Sequence, residues 1–175
     1  MKRISVIPER CSACRICELA CALFHFRSNN PKKSAIRVFS LYPNPILRTP
    51  IVCRQCDDPE CMEACPVGAI DFADETVRID TELCTGCMAC VEACPYGAIF
   101  THPEVDHPIK CDLCSGSPRC VRACPKNALV IVEELGVQPR LVDGKPVFDR
   151  MKELDLQASG GGVLRYNDGG PADED

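Results

Sequence analysis

Apolar residues in this chain come in short bursts and never in a long amphipathic stripe. The stretches at 4–7, 69–72, 77–80, 98–101 and 128–132 are strand-length, too short for a stable helix. Three of them follow one recurring phrase, seen as CPVGAI, CPYGAI and CPKNAL. Gly68, Gly97 and Asn127 share a position in it and are residue types that tolerate positive φ, so each phrase predicts the same tight turn into a strand. Just before each phrase, a CxxxC step puts two cysteines one turn apart on a short helix, which the proline then ends. Residues 22–52 break this rhythm: SAIRVFSLY predicts a strand and the Pro-rich YPNPILRTP a long ordered loop. Phe24, Phe26, Phe39 and Tyr42 lie in or near that segment and are expected to form a small satellite core in preference to a partner surface. Beyond residue 135, Asp143-Gly144 is a hairpin signal, 149–156 a short helix, and 158–175 a Gly-rich acidic tail. The tail reads either as disordered or as an arm anchored on another subunit by Val163, Leu164 and Tyr166. The pattern defines an α+β class, with a domain over 1–135 carrying an insertion at 22–52 and an appendage over 136–175.

Composition changes this picture in one respect. Cysteine supplies 16 of the 175 residues, and without it the apolar fraction falls from 46% to about 37%, thin for a packed interior. The start, MKRISVIPERC, shows no apolar signal-peptide core and no small-residue cleavage site. No apolar run approaches the roughly 18 residues of a membrane span. The expected compartment is the reducing cytoplasm, where clustered cysteines hold metal more often than each other.

The cysteines fall into four groups of four: Cys11, Cys14, Cys17, Cys21; Cys53, Cys56, Cys61, Cys65; Cys84, Cys87, Cys90, Cys94; and Cys111, Cys114, Cys120, Cys124. All sixteen are used, and the groups form an internal repeat. The third, CTGCMACVEACP, is the run CxxCxxCxxxCP, the bacterial ferredoxin signature for cubane 4Fe-4S clusters. Zinc is the metal rival, since four-cysteine zinc sites also use CxxC pairs, but a CxxCxxC run with proline after the fourth cysteine suits a cubane better. The first group departs from the pattern, with Ala22 in place of the proline. A separate catalytic site is not visible. His25, His102 and His107 make no catalytic pattern, the last two reading as solvated loop residues, and neither a phosphate loop nor a dinucleotide fingerprint is present.

CRQCDDPECMEACPVGAI, CTGCMACVEACPYGAI and CDLCSGSPRCVRACP make residues 1–133 resemble the four-cluster ferredoxin-like subunits of molybdenum and tungsten oxidoreductases, hydrogenases and formate dehydrogenases. The short fourth group, CDLCSGSPRC, is similar to the compact cytoplasmic branch, and general likeness points to the small subunit of tungsten-dependent aldehyde oxidoreductases. The resemblance implies tandem bacterial-ferredoxin-like modules around four 4Fe-4S clusters and a non-catalytic electron-transfer role. It implies as partners a catalytic subunit of molybdenum- or tungsten-pterin type and a flavin subunit or other electron acceptor. It also implies ligand exchange between groups. One cluster would take Cys11, Cys14, Cys17 and Cys124, and the next Cys111, Cys114, Cys120 and Cys21. A third would take Cys53, Cys56, Cys61 and Cys94, and the last Cys84, Cys87, Cys90 and Cys65.

Two functions remain open: a dedicated relay subunit inside an oxidoreductase complex, or a freely diffusing polyferredoxin. The inserted segment and the appendage favour the first, because a shuttle needs neither. The formal net charge is −5, and four oxidised cubanes with their thiolates bring it to about −13. Nucleic acid is therefore not an expected partner. A mobile redox partner is expected to present a basic patch, its electron exchange slowing as salt rises. Because the apolar core is thin, cluster binding is expected to supply folding free energy. The iron-free chain should accordingly lack a cooperative thermal transition by calorimetry, and a sharp transition after complete iron removal would refute this.

Overall fold

The computed structural model describes residues 1–41 and 47–133, together with a strand pair at Leu141–Val142 and Lys145–Pro146. The chain divides into two compact units, Met1–Ser40 with Arg48–Val137, and Leu41–Leu47 with Gln138–Asp175.

The first unit is built from two-stranded ribbons and short helices. In chain order these are β1 (Arg3–Val6), α1 (Ile16–Phe26), β2 (Ile36–Leu41), β3 (Leu47–Val52), α2 (Glu60–Glu63), β4 (Ile70–Ala73) and β5 (Thr76–Ile79). There follow α3 (Ala89–Ala93), β6 (Ile99–His102), β7 (Val105–Lys110), α4 (Arg119–Ala123) and β8 (Leu129–Val132). Three of the ribbons join one cysteine group to the next. β2 pairs with β3 between the first and second groups, β4 with β5 between the second and third, and β6 with β7 between the third and fourth. β1 pairs antiparallel with β8, Arg3 opposite Val132 and Val6 opposite Leu129, so the strand entering the first group lies beside the strand leaving the fourth. Helices pack in the same sense, α1 on α4 and α2 on α3.

Sequence explains the helix lengths. Cys94 and Cys124, each before a proline, leave their helices with ψ of 110° and 108°, as proline demands of its predecessor. Helices α3 and α4 are therefore 5 residues long. Cys21 has no such proline, and α1 runs on to Phe26 before Arg27 closes it at φ 51°. Gly68, Gly97 and Asn127 adopt φ of +63°, +55° and +48°, the turn anticipated for their shared position.

Where the structure departs from the sequence reading, proline and burial are the reasons. YPNPILRTP was expected to be a loop, yet its last four residues belong to β3; residues 42–46 lie outside the described residues. The supposed loop around His107 is strand β7, which contains Pro108, and His102 ends β6. In a two-stranded ribbon every strand has an unpaired side, where a missing N–H costs nothing. The satellite aromatic core is not formed as expected. Phe24 is 37% exposed, Phe26 and Phe39 are half-buried, and the segment instead buries Ser34, Ala35, Ile36 and Val38. The side chain of Tyr42 lies outside the described residues.

In the second unit Leu141–Val142 pairs antiparallel with Lys145–Pro146, Val142 opposite Lys145, the strands of the hairpin expected at Asp143-Gly144. The helix expected at 149–156 and the tail at 158–175 lie outside the described residues.

One loop position recurs in all four groups. Ala13, Gln55, Gly86 and Leu113 each stand two residues after the first cysteine and have φ of +56°, +49°, +68° and +57°. The left-handed turn is thus a demand of the loop, met by non-glycine residues at a cost of roughly 1–2 kcal/mol each. Gly86 has a further reason to be glycine: a Cβ there would sit 2.4 Å from the Asp106 carbonyl oxygen of β7. Gly86→Ala should therefore destabilise the metal-loaded protein by about 1–3 kcal/mol, read as a lower midpoint of thermal unfolding, whereas Ala13→Gly should change it by no more than about 1 kcal/mol. Equal effects at the two positions would count against the backbone contact as the cause.

Candidate metal centres

The ribbons and short helices converge their cysteines on four cavities. One is lined by Cys11, Cys14, Cys17 and Cys124, with Arg15, Val38 and Lys126 beside them. A second is lined by Cys21, Cys111, Cys114 and Cys120, with His25 and Ile36. A third is lined by Cys53, Cys56, Cys61 and Cys94, with Arg54, Tyr96 and Lys110. The fourth is lined by Cys65, Cys84, Cys87 and Cys90, with Val67, Ile70 and Met88. Empty space in and at the mouth of each is about 320 Å³, 280 Å³, 350 Å³ and 300 Å³ in that order. In every case three cysteines come from one group and the fourth from another: first with fourth, second with third.

Backbone N–H groups point at the sulfurs in a pattern that repeats with the sequence. In the last three groups the alanine of Cys-Pro-x-x-Ala donates to the cysteine four residues earlier: Ala69 N to Cys65 Sγ at 3.2 Å, Ala98 N to Cys94 Sγ at 3.4 Å and Ala128 N to Cys124 Sγ at 3.3 Å. The first group lacks the phrase, and Cys21 Sγ accepts instead from Ala35 N at 3.3 Å, within the inserted segment. Loop N–H groups of Ala13 and Gln55 reach Cys11 Sγ and Cys53 Sγ, each at 3.4 Å.

Burial acts against the free thiolates. It pushes the thiols of Cys17, Cys21 and Cys120 up to about 12 and those of Cys61 and Cys90 up to about 11. Cys56 and Cys114 are raised for the same reason, and Cys111 well above its ordinary value. Neighbouring sulfurs add to the effect, while the Lys110 ammonium opposes it at Cys61. Cys14 and Cys87 are exposed.

Several polar residues around the cavities carried no sequence signal. Gln55 is fully buried; its Oε1 accepts from Val77 N at 2.8 Å and its Nε2 donates to the Cys111 carbonyl at 2.8 Å, so it stands between the third and second cavities. Glu18 is 4% exposed and accepts from Val38 N at 2.5 Å; burial raises its carboxyl above the usual range. His25 Nε2 lies 3.5 Å from Cys114 Sγ and 3.4 Å from Asp112 Oδ1. That trio has the ligand atoms for a single metal ion, but Cys114 also faces three other thiols, the stronger soft-donor set. The three histidines do not meet: His102 Nε2 lies 3.2 Å from Asn30 Nδ2, and His107 Nδ1 2.8 Å from Asp106 Oδ1. Among the described residues no helix is long and apolar enough to cross a membrane.

Four thiols per cavity and N–H donors aimed at sulfur, with cationic side chains lining the first and third, make a donor set that fits iron–sulfur clusters. Residues 77–100, which contain Cys84, Cys87, Cys90 and Cys94, match the family described as the 4Fe-4S binding domain. This stretch thus matches a ferredoxin-type iron–sulfur module. The chain is similar to the "Aliphatic sulfonate oxidoreductase, polyferredoxin-like subunit" of Pyrococcus furiosus, 40% identical over 88 residues that make up 49% of this chain and 50% of that protein. It is also similar to the "Iron-sulfur protein" of Rhodospirillum rubrum, 37% identical over 46% of this chain and 45% of that one. "Hydrogenase-4 component A" of Escherichia coli is 29% identical over 46% of this chain and 38% of that protein. The chain spans about half the length of these relatives or less. A chain of the solved "Active site complex BamBC of Benzoyl Coenzyme A reductase in complex with Zinc" aligns over 97% of this chain and 96% of its own, with 27% identity and a TM-score of 0.47.

Metal must displace protons from thiols that burial holds protonated, so retention should strengthen as pH rises toward the thiol range. Iron kept against a fixed excess of chelator under anaerobic conditions is expected to increase steadily from about pH 6 to about pH 8.5. Retention that falls over that interval would show that thiol deprotonation does not limit binding.

Proposed function

We propose that this chain is the electron-transfer subunit of a multi-subunit oxidoreductase and holds four 4Fe-4S clusters in its four cavities. The observation that carries the reading is the convergence of all 16 cysteines on those cavities, four to each. The proposed ligand sets are Cys11, Cys14, Cys17 and Cys124; Cys21, Cys111, Cys114 and Cys120; Cys53, Cys56, Cys61 and Cys94; and Cys65, Cys84, Cys87 and Cys90. A domain over 1–135 would contain them all.

When bound, each cluster stores and passes one electron. The chain's own residues provide the surroundings. The alanine N–H groups hold sulfurs in place and favour their charged form. Arg54 and Lys110, which line the third cavity, offset the negative charge of its thiolates. The cavities also follow one another in space. Cys17 of the first and Cys120 of the second are close enough to feel each other's charge, as are Cys111 of the second and Cys53 of the third. Cys61 and Cys94 of the third pack in one core with Cys65 and Cys90 of the fourth.

The partner we infer is a catalytic oxidoreductase subunit, with a flavin subunit or other acceptor at the opposite end of the relay. The names of the relatives support an oxidoreductase setting. The tungsten- or molybdenum-pterin type, with aldehyde oxidoreductase as its particular form, rests on the sequence resemblance alone, and the reducing cytoplasm as compartment on the amino-terminal pattern and the clustered cysteines. A freely diffusing polyferredoxin is the second reading, favoured by the "polyferredoxin-like" name of one relative.

Anaerobic reconstitution should load about 16 irons per chain. Cys94→Ala should damage the centre at Cys53, Cys56 and Cys61 and spare the one at Cys84, Cys87, Cys90 and Cys65, as read by paramagnetic resonance of the reduced protein. Loss of the centre at Cys84 instead would show that each group closes its own cluster. Gel filtration of the native protein should place it in a larger assembly, and a sole species of 19.2 kDa accepting electrons from many donors would support the free carrier.

A further inference from the structure

The cavities with exposed cysteines differ in the charge around them. Beside Cys14, the lining residues Arg15 and Lys126 are exposed, and exposed Arg10 directly precedes Cys11. Among the described residues, none of these three cations forms an ion pair. The nearest acids along the chain are Glu9 and Glu18; Glu18 is buried, its carboxylate accepting from Val38 N and feeling the Arg15 charge without forming an ion pair. Around Cys87 the character is opposite. No charged residue lines that cavity, the loop leading into it carries exposed Asp80 and Glu82, and Leu83 and Val67 are 58% and 44% exposed.

A protein of net charge −5 repels an acidic partner at long range, but within a Debye length local charges govern the encounter. Three exposed cations in or next to the group that holds an exposed thiol make an electropositive spot at a place where electrons can be exchanged with a visitor. We propose that the mouth at Cys11, Cys14, Cys17 and Cys124 is the docking site of a small acidic one-electron carrier protein, seated on Arg10, Arg15 and Lys126. This rests on the relay reading above and reverses the expectation of a basic mobile partner. One electron leaves the carrier's reduced centre and is accepted at this cavity; the carrier is oxidised by one equivalent, the protein reduced by one, and no bond or proton changes hands.

The test uses the metal-loaded full chain and an acidic flavodoxin passing from hydroquinone to semiquinone. Binding of the oxidised flavodoxin by calorimetry and electron transfer by stopped flow are each measured from about 0.01 M to about 0.15 M salt, where the Debye length shortens from about 30 Å to about 8 Å. For the native chain both should weaken as salt rises. Arg15→Glu with Lys126→Glu should lower the low-salt rate and affinity by about tenfold or more, while Asp80→Lys with Glu82→Lys leaves them unchanged or raises them. Iron content and paramagnetic resonance spectra should match the native chain in both variants. Unaltered spectra with rates indifferent to the first pair, or lowered by the second, would overturn the docking site and leave the relay reading standing. Self-association at low salt that the first pair abolishes would make a second copy the occupant and also overturn it. A native chain that takes up no cluster would remove the relay reading and the docking site together.

Discussion

Sixteen thiols gathered into four pockets are the constraint on which everything else in this protein depends. The secondary structure could not hold the chain together without them. Among the described residues its α-helices, α1 apart, are 4 or 5 residues long, and its sheets are all two-stranded. Helices of that length and isolated ribbons are at best marginal in water. The packed core cluster between α2, α3 and their ribbons consists of Cys61, Ile70, Val77, Cys90 and Ile99, with Met62, Cys65, Ile79, Val91 and Cys94 around it. Cysteine thus occupies positions that leucine or phenylalanine would fill elsewhere. Burial that raises a thiol to about 12 means a thiolate there requires compensation from a metal, so fold and cofactor are two aspects of one equilibrium.

The same constraint explains why the inserted segment exists. In three groups the phrase after the last cysteine makes its own turn and returns an alanine N–H to the sulfur. With Ala22 where proline would be, α1 runs straight past Cys21, and that sulfur would lose its donor. The insertion folds back to restore it: Ala35 donates to Cys21 Sγ, and Ser34 Oγ donates to the Ile36 carbonyl at 2.5 Å, bracing the turn. Val38 N then engages Glu18, fixing β2 along the helix. Missing local turn chemistry is replaced by tertiary contact.

Legibility of the sequence followed how local each feature is. Cysteine spacing, the Gly68, Gly97 and Asn127 turns, the strands after them and the strand pair of Leu141–Val142 with Lys145–Pro146 are set within a few residues and could be read directly. Strands β3 and β7 could not, because Pro50 and Pro108 argue against a strand unless the outer side of the ribbon is known to be free. Burial of Gln55 was invisible for the opposite reason. Nothing in CRQC marks the glutamine, and its two partners, Val77 N and the Cys111 carbonyl, lie 22 and 56 residues away. Phe24 misled through composition: an aromatic was expected inside, yet it lies at the surface beneath the Arg119 guanidinium, 4.7 Å from the ring centroid. Which cavity each cysteine joins also depends on partners far along the chain.

Charge shows the same contrast between average and place. A modest net charge for a chain of this size says little about thiolates spaced through its interior. What matters is where cations stand, and Lys110 is the clearest case. Its ammonium lines the third cavity, donates to the Val77 carbonyl and lies 3.4 Å from the Cys111 carbonyl, with Gln55 bonded to that same carbonyl. A half-buried ammonium is costly in an apolar setting, but here it faces thiols of the third cavity and the backbone of a cysteine in the second. One side chain thereby opposes negative charge at the third cavity while bonding the backbone of the second, and Gln55 bridges the same two places with two directed hydrogen bonds. Lysine and glutamine together tie the backbone of the two cavities to each other, and the sulfurs add the electrostatic link, since Cys53 of the third acts on the Cys111 thiol of the second.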